Sequence, residues 1–275
     1  MTKATERPAD GTKNFGGILE LRVDHSIAVL TLNDRPRRNA MSLEMMDALW
    51  LAREDIEART DIRVVIITGK GDSFSAGGNV HDMVDRKGIF DSEDPAWARD
   101  INLQRVHKIP NAIYGISAPT VAAVNGHAIG GGCDLALMCD VRIAAESARF
   151  SESFLRVGLL PGDGGAWFLP RVVGLARAME MALTCEVLDA EKAERVGLVS
   201  RVVPDDQLMS VAMDVARTIA TQPPNAARMT KQLMRFGAEA GLAETLQMTA
   251  AMQGIAQTSD EHREAAQRLA KRLKD

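Results

Sequence analysis

Two short segments near the start of the chain, I-L-E-L-R-V and I-A-V-L-T-L within residues 18–32, alternate between apolar and polar positions. That period predicts a pair of half-buried strands, and Asp24-His25-Ser26 between them predicts a hairpin turn. The period then changes. After Ser42, the run L-E-M-M-D-A-L-W-L-A-R-E-D-I-E-A places apolar residues at i, i+3, i+4 and i+7. This predicts a helix with Ser42 as its N-cap. V-V-I-I-T at 64–68 is apolar without alternation and stops at Gly69, the pattern of a strand buried on both faces. P-T-V-A-A-V at 119–124 predicts another, with Asn125-Gly126 as its turn. A short helix over 132–138 and a strand from Val141 follow. Residues 81–101 are polar and carry Gly88, Asp91, Asp94 and Pro95, so a mobile loop or lid is expected there, with a helix over 97–114. Beyond about 205 the strand pattern ends, and four helical periodicities occupy 206–220, 224–236, 238–253 and 259–274.

The order strand, glycine-rich loop, helix recurs, which predicts an α/β fold with helices covering the strands. The 275 residues suffice for one large domain with an appendage. The expected division is a polar, disordered tail over 1–14, a core over 15–205 and a helical region over 206–275. Composition narrows the function. A net charge of -4 and 4% aromatic residues disfavour a nucleic-acid surface. No run reaches the length of a membrane helix, and the first residues lack the apolar stretch of a secretory signal. A cytoplasmic protein is therefore expected. Cys133, Cys139 and Cys185 have no metal-ligand spacing and read as small buried hydrophobes in a reducing compartment; no metal site is expected.

Two glycine-rich turns follow apolar strands: F-S-A-G-G-N at 74–79 and G-G-G at 130–132. Neither has the glycine spacing of a dinucleotide fingerprint, and neither is followed by the Lys-Ser/Thr of a phosphate loop. Glycine lets a backbone approach a ligand closely, and the first N–H groups of a helix lack intrahelical partners. Two such N–H groups, one from each turn, are suited to a developing oxyanion; two tight turns without a ligand would carry the same glycines. Asp134 falls in the first turn of the second helix, where the helix dipole favours its ionised form. It reads either as a general base or as a helix-capping acid. Pro161-Gly162-Asp163-Gly164-Gly165 is so rich in breakers that a helix starts only after it, and Asp163 reads as a loop acid or an N-cap.

Taken in order, F-S-A-G-G-N, V-A-A-V-N-G-H-A-I-G-G-G-C-D-L-A-L-M-C-D-V-R-I-A, V-G-L-L-P-G-D-G-G and A-E-R-V-G-L-V-S-R-V-V resemble the enoyl-CoA hydratase/isomerase, or crotonase, superfamily from about residue 17 to the end. The resemblance implies a spiral of repeated ββα units and a C-terminal helical region that builds homotrimers, often paired into dimers of trimers. It implies an acyl-CoA thioester as substrate and no cofactor. It places the oxyanion-holding N–H groups on Gly78 and Gly131. Ala76, Gly77, Asn79, Val80 and His81 around the first turn, and Gly130 and Gly132 in the second, would line the substrate. T-L-N-D-R-P-R-R-N-A resembles the family's coenzyme A loop with a shifted Arg-Pro order, and brings Arg37 and Arg38 towards phosphates.

The family's acids decide its chemistry. Its first catalytic carboxylate falls on Asp134, where hydratases more often carry Glu and dienoyl-CoA isomerases carry Asp. The second hydratase Glu should stand eight residues before Gly162, and that position is Phe154. Glu152, on the same face if the segment is extended, and Asp163 are the substitutes. Dienoyl-CoA isomerases place an Asp one residue earlier, at Gly162. The carbon–carbon bond hydrolases share P-G-D-G but use a histidine at the Phe154 position. The leading expectation is hydration of a 2-enoyl-CoA to a 3-hydroxyacyl-CoA by Asp134 and Asp163. Double-bond isomerisation, hydrolysis of a thioester or a β-dicarbonyl C–C bond through Asp163, and a non-catalytic CoA- or RNA-binding role are the alternatives. His81 reads as a residue of the CoA channel and His127 as one packed against its turn.

Overall fold

The computed structural model describes residues 11–273. Eleven strands form two sheets among these residues. They are β1 Lys13–Phe15, β2 Leu19–Asp24, β3 Ile27–Leu32, β4 Val64–Gly69, β5 Ser73–Ser75, β6 Thr120–Val124, β7 His127–Ile129, β8 Val141–Ala145, β9 Arg149–Ser151, β10 Leu188–Asp189 and β11 Arg201–Val203. The larger sheet runs β1-β2-β3-β4-β6-β8-β11 and the smaller β10-β9-β7-β5. The hairpin forms as expected: Asp24 pairs Ile27, and His25 takes a positive φ in the turn. From β3 to β11 neighbours in the large sheet are parallel. The pairs β4/β5, β6/β7 and β8/β9 each send one strand to the large sheet and one to the small sheet before a helix follows. This is a spiral of ββα units.

The helices are α1 Leu43–Glu57, α2 Val80–Asp85, α3 Pro95–Ile101, α4 Lys108–Ile113, α5 Gly131–Leu137, α6 Gly165–Val173, α7 Leu175–Thr184, α8 Ala190–Arg195, α9 Leu208–Ala220, α10 Pro224–Gly237, α11 Leu242–Thr258 and α12 Asp260–Arg272. Ser42 caps α1 by accepting from the Met45 N–H at 3.2 Å. The unbroken apolar run of β4 has a direct cause. Val65 and Ile67 face the inner core with Phe74, Met45 and Leu49. Val64 and Ile66 face outward beneath Leu208, Ala212 and Ala216 of α9. A strand covered on both faces needs apolar residues at every position.

Three expectations change. The tail expected over 1–14 lies outside the described residues up to position 10, and Lys13–Phe15 is a strand paired with β2. Residues 81–101 are largely helical rather than a loop. Asn79 caps α2, and Asp94 caps α3 with Pro95 in its first turn, so the polar residues that resemble loop signals are caps. The helix expected over 97–114 is a run from α3 to α4 with a π-helical turn at Asn102–Val106 between them. All three cysteines are buried and unpaired. No helix of the described residues is long and apolar enough to cross a membrane.

The four C-terminal helices begin after β11, close to the expected ranges. α9 and α10 dock on the core, whereas α11 and α12 bury no residue. The α10 contact is polar. Lys231, only 9% exposed, donates to the Ala118 carbonyl at 2.8 Å and pairs with Asp140 at 2.8 Å. Arg235 pairs with the other Asp140 oxygen at 2.7 Å and stacks on Tyr114. Removing one partner of such a pair strands a buried charge. Asp140→Ala should therefore lower the unfolding free energy in denaturant titration by about 2 kcal/mol or more; a loss below about 0.5 kcal/mol, the size of an ordinary surface substitution, would contradict this account of the docking.

Candidate active site

β5 and β7 lie side by side and parallel in the small sheet, so the turns that follow them leave the same edge together. β5 ends in Ala76-Gly77-Gly78-Asn79 and enters α2; β7 ends at Gly130 and enters α5. The two turns touch. Gly77 has φ +71, and a Cβ there would collide with the Ile129 carbonyl and stand 3.0 Å from the Gly131 nitrogen. Only glycine satisfies both the dihedral and the approach. A Cβ on Gly132 would strike the Ser75 carbonyl. Gly131 opens α5, so its N–H has no intrahelical acceptor. Among the described residues, neither this group nor the Gly78 N–H takes an acceptor from a turn, loop or cap. Gly78 has the Met83 side chain beside it, 2.6 Å from where a Cβ would stand.

A third segment clamps the first turn. Ala76 donates to the Arg38 carbonyl at 3.0 Å and Met41 to the Gly77 carbonyl at 2.8 Å. Asn39 is fully buried with φ +56. Its side chain accepts from the Asp34 N–H at 2.8 Å and donates to the carbonyls of Ser73 at 2.8 Å and Lys70 at 3.3 Å. Its carbonyl accepts from the Ser75 hydroxyl at 2.8 Å. Sequence reasoning missed Asn39, which sits unmarked between Arg38 and Ala40. Arg37 and Arg38 are exposed on this segment. Arg37 lies within 4 Å of Asp34 and Glu44, while Arg38 makes no ion pair among the described residues. Val80 and His81 are exposed on α2. His127 is exposed, its Nδ1 3.5 Å from the Asp72 carbonyl, as expected of a residue packed by its turn.

Three carboxyls gather beside Gly131. Asp163 is the most exposed of them, and its Oδ2 occupies the place a Gly131 Cβ would take. It is not an N-cap, since α6 begins at Gly165 after Gly164. Burial raises the Asp163 carboxyl to about 6. Asp134 is wholly buried beneath it. Asp134 Oδ2 accepts from the Gly165 N–H at 3.1 Å, while its Oδ1 has no partner. The expectation that the helix dipole favours ionised Asp134 is reversed. Loss of water, then the charges of Glu152 and Asp163, push it well above the ordinary aspartate range, against the opposing Gly165 hydrogen bond. Glu152 is 1% exposed with both carboxyl oxygens unpartnered. Burial, with Asp163 repulsion, raises it to about 7 against the lowering influence of Cys133 and Asp134.

Phe154 does not share a face with Glu152. Residues Ser153–Val157 form a 3₁₀ turn instead of extended chain, and the Phe154 ring packs on Gly130, 3.6 Å from where a Cβ would stand. The site thus brings together Gly78, Gly131, Asp134, Asp163 and Phe154, with Glu152 added. Arg37, Arg38 and His81 stay on the surface around it. No group of His, Cys, Asp and Glu among the described residues is arranged to hold a metal ion.

A model of the enoyl-CoA hydratase/isomerase family matches residues 22–275. A probable enoyl-CoA hydratase of Mycobacterium bovis is 38% identical over 226 residues, covering 81% of this chain and 83% of that protein. The 1,2-epoxyphenylacetyl-CoA isomerase of Escherichia coli is 36% identical over 252 residues, 91% of this chain and 94% of that protein. The crystal structure of an enoyl-CoA hydratase from Bacillus anthracis superposes with a TM-score of 0.86 at 29% identity, covering 93% and 96% of the two chains.

Asn39→Ala would leave buried backbone groups of Asp34, Ser73 and Lys70 without their partner. Each such group costs about 1–3 kcal/mol, offset where water enters. Denaturant titration should register a loss of about 2 kcal/mol or more, and unchanged stability would mean that the clamp holds nothing.

Proposed function

The chain belongs to the enoyl-CoA hydratase/isomerase family, and on that premise we propose that it hydrates a 2-enoyl-CoA thioester to the 3-hydroxyacyl-CoA. The observation that carries this reading is the Asp163 carboxyl seated on Gly131, at the mouth of two converging backbone turns. In this mechanism the thioester oxygen lies between the Gly78 and Gly131 N–H groups. Ionised Asp163 takes a proton from water as the water oxygen bonds to Cβ. The electron pair of the double bond moves through Cα to the thioester oxygen, and the two N–H groups stabilise the enolate charge. As the enolate collapses, Cα is protonated from Asp134. The reset returns the proton on Asp163 to Asp134. At neutral pH the environments separate the two acids: Asp163, near 6, is largely the base, and Asp134, held well above its ordinary range, keeps its proton.

The remaining turn residues fit this reading. Ala76, Gly77, Asn79, Val80 and His81 line one side of the thioester, and Gly130, Gly132 and Phe154 the other. Arg37 and Arg38 meet coenzyme A phosphates, and Arg38 has no acid paired to it among the described residues. The chemistry uses backbone N–H groups and carboxyls and calls on no resident cofactor. The exposed Leu242, Leu246 and Ile255 of α11 support burial of this helix against further copies of the chain, a homotrimer or dimer of trimers in this reading, which also sets the reaction in the cytoplasm.

One observation favours a second reading. Phe154 stands where a hydratase would keep a second Glu, and its ring dries that end of the site. A drier site suits migration of the double bond by Asp163 more than attack by water. The assay separates the two. With crotonyl-CoA and a longer 2-enoyl-CoA, wild-type protein should bleach the conjugated absorbance. Asp163→Asn should lower kcat by about a hundredfold or more, as expected for losing a general base. Exchange of α-protons with deuterium and no hydration would replace this reading with the isomerase, and release of free coenzyme A would replace it with a thioester hydrolase. Full activity in Asp163→Asn would remove Asp163 from the mechanism.

A further inference from the structure

Glu152 has no place in the mechanism above, yet it is among the most completely buried ionisable groups of the molecule. Its two oxygens and Asp134 Oδ1 make three buried carboxyl oxygens without a hydrogen-bond partner. Such groups are costly to bury, and native structures rarely leave them unpaired. The chain brings the two acids together by backbone geometry. β9 pairs with β7, so Gly130 N donates to the Ser151 carbonyl at 2.7 Å and Glu152 emerges at the base of α5. One turn into α5, Asp134 N bonds the Gly130 carbonyl at 3.0 Å. Both acids therefore enter the same enclosed space from adjoining elements, and each acts electrostatically on the other.

The charged and titratable surroundings of this pair are unbalanced. From α5 come Asp134 and Cys133, and from the 161–165 turn comes Asp163. The cation that reaches them most nearly is Arg142 of β8, whose influence falls on Cys133. Its guanidinium is committed elsewhere, donating to the carbonyls of Leu198 at 2.7 Å and Cys139 at 2.6 Å. The donors beside the pair are neutral: the Gly165 N–H, at 3.1 Å from Asp134 Oδ2, and the Cys133 thiol, which acts on Glu152. Two adjoining carboxylates with only neutral donors, and no cation paired to them among the described residues, do not both ionise; a proton held between them satisfies the orphaned oxygens.

We propose that Asp134 and Glu152 hold one proton jointly, and that Glu152 is a positioning residue that keeps Asp134 in its acid form. The pair titrates as a unit, and its behaviour belongs to neither residue alone. Glu152 does not touch substrate. It supplies the negative neighbour that makes release of the Asp134 proton to bulk water unfavourable, so that the proton stays available for Cα. This kinetic consequence rests on the hydration reading; the shared proton itself does not.

The test uses the whole protein. In the unfolded chain the two acids ionise near their ordinary values of about 4. In the folded chain the pair retains a proton above that, so its contribution to stability is present at low pH and is lost as pH rises towards and through about 7. One retained proton makes the unfolding equilibrium constant rise about tenfold per pH unit across that window. Denaturant titrations from about pH 5 to about pH 7 on wild type, Glu152→Gln, Asp134→Asn and the double variant measure this slope. Each amide should reduce the slope only in part, since burial still raises the carboxyl that remains, and the double variant should remove about tenfold per unit in all, the slope of a single proton. Asp163 is present in all four proteins, so its own titration cancels in the comparison. Glu152→Asp, which keeps a carboxyl, should retain the slope and thereby separate charge from packing. A loss of about a hundredfold per unit in the double variant would mean two independent acids, and a slope unchanged in Glu152→Gln would mean that Glu152 has no share in the retained proton; either overturns the shared proton. In the kinetic arm, Glu152→Gln should move the alkaline limb of kcat to lower pH with KM within about twofold; an unmoved limb overturns the positioning role. If wild type turns over no enoyl-CoA, the hydration reading falls, while the stability slopes still decide whether the proton is shared.

Discussion

Gly77 and Gly132 each lie against a backbone carbonyl of the opposite turn, Ile129 in one case and Ser75 in the other, where a Cβ would collide. The rest of the site depends on that contact. It exists because β5 and β7 are parallel neighbours, so the turns that end them are forced together at one edge of the small sheet. With the turns in contact, Gly78 and Gly131 stand on adjoining turns, and among the described residues neither N–H takes an acceptor from a turn, loop or cap. Asn39 then fixes the turns from outside through Asp34, Lys70, Ser73 and Ser75. In the proposed mechanism, backbone geometry rather than side chains meets the developing charge. Such a site costs little reorganisation when charge develops, because its dipoles are already in place.

The second organising feature is an excess of acid. Asp134, Glu152 and Asp163 share a nearly enclosed region with one backbone donor and no committed cation. Burial alone would raise all three, and their mutual repulsion spreads them further apart in proton affinity. Asp163, the most exposed, ionises most readily; Asp134, the deepest, holds its proton longest. Depth and the charge of Glu152 thus act in the same direction on Asp134. The same arrangement makes the folded state less favourable as pH rises, a stability cost of the kind that functional sites carry.

Much of the fold was legible because its signals are local. The hairpin, α1, β4, β6 and the C-terminal helices follow from period, caps and breakers. The small sheet was not legible: β5, β7 and β9 have three residues each and β10 two, too short to show alternation. The segment over 81–101 misled because Asp94 and Pro95 serve equally well in a loop and at the start of a helix. Gly78, Gly131, Asp134 and Asp163 were singled out from glycine clusters and the family resemblance, and the fold brings Gly131, Asp134 and Asp163 together. The protonation state of Asp134 was not legible, since the helix-dipole argument treats an exposed first turn and this one is sealed by Glu152 and Asp163. Asn39 carries no pattern at all, and its importance appears only when strands distant in sequence meet.

The central claim is that two backbone N–H groups and the Asp163 carboxyl converge on one thioester. A crystal structure with a bound acyl-CoA tests it most directly. The account predicts the thioester oxygen within hydrogen-bond distance of both the Gly78 and Gly131 nitrogens, with an Asp163 oxygen in proton-transfer reach of the β carbon or its attacking water. A thioester bound elsewhere, or an oxygen that meets neither N–H, would contradict it.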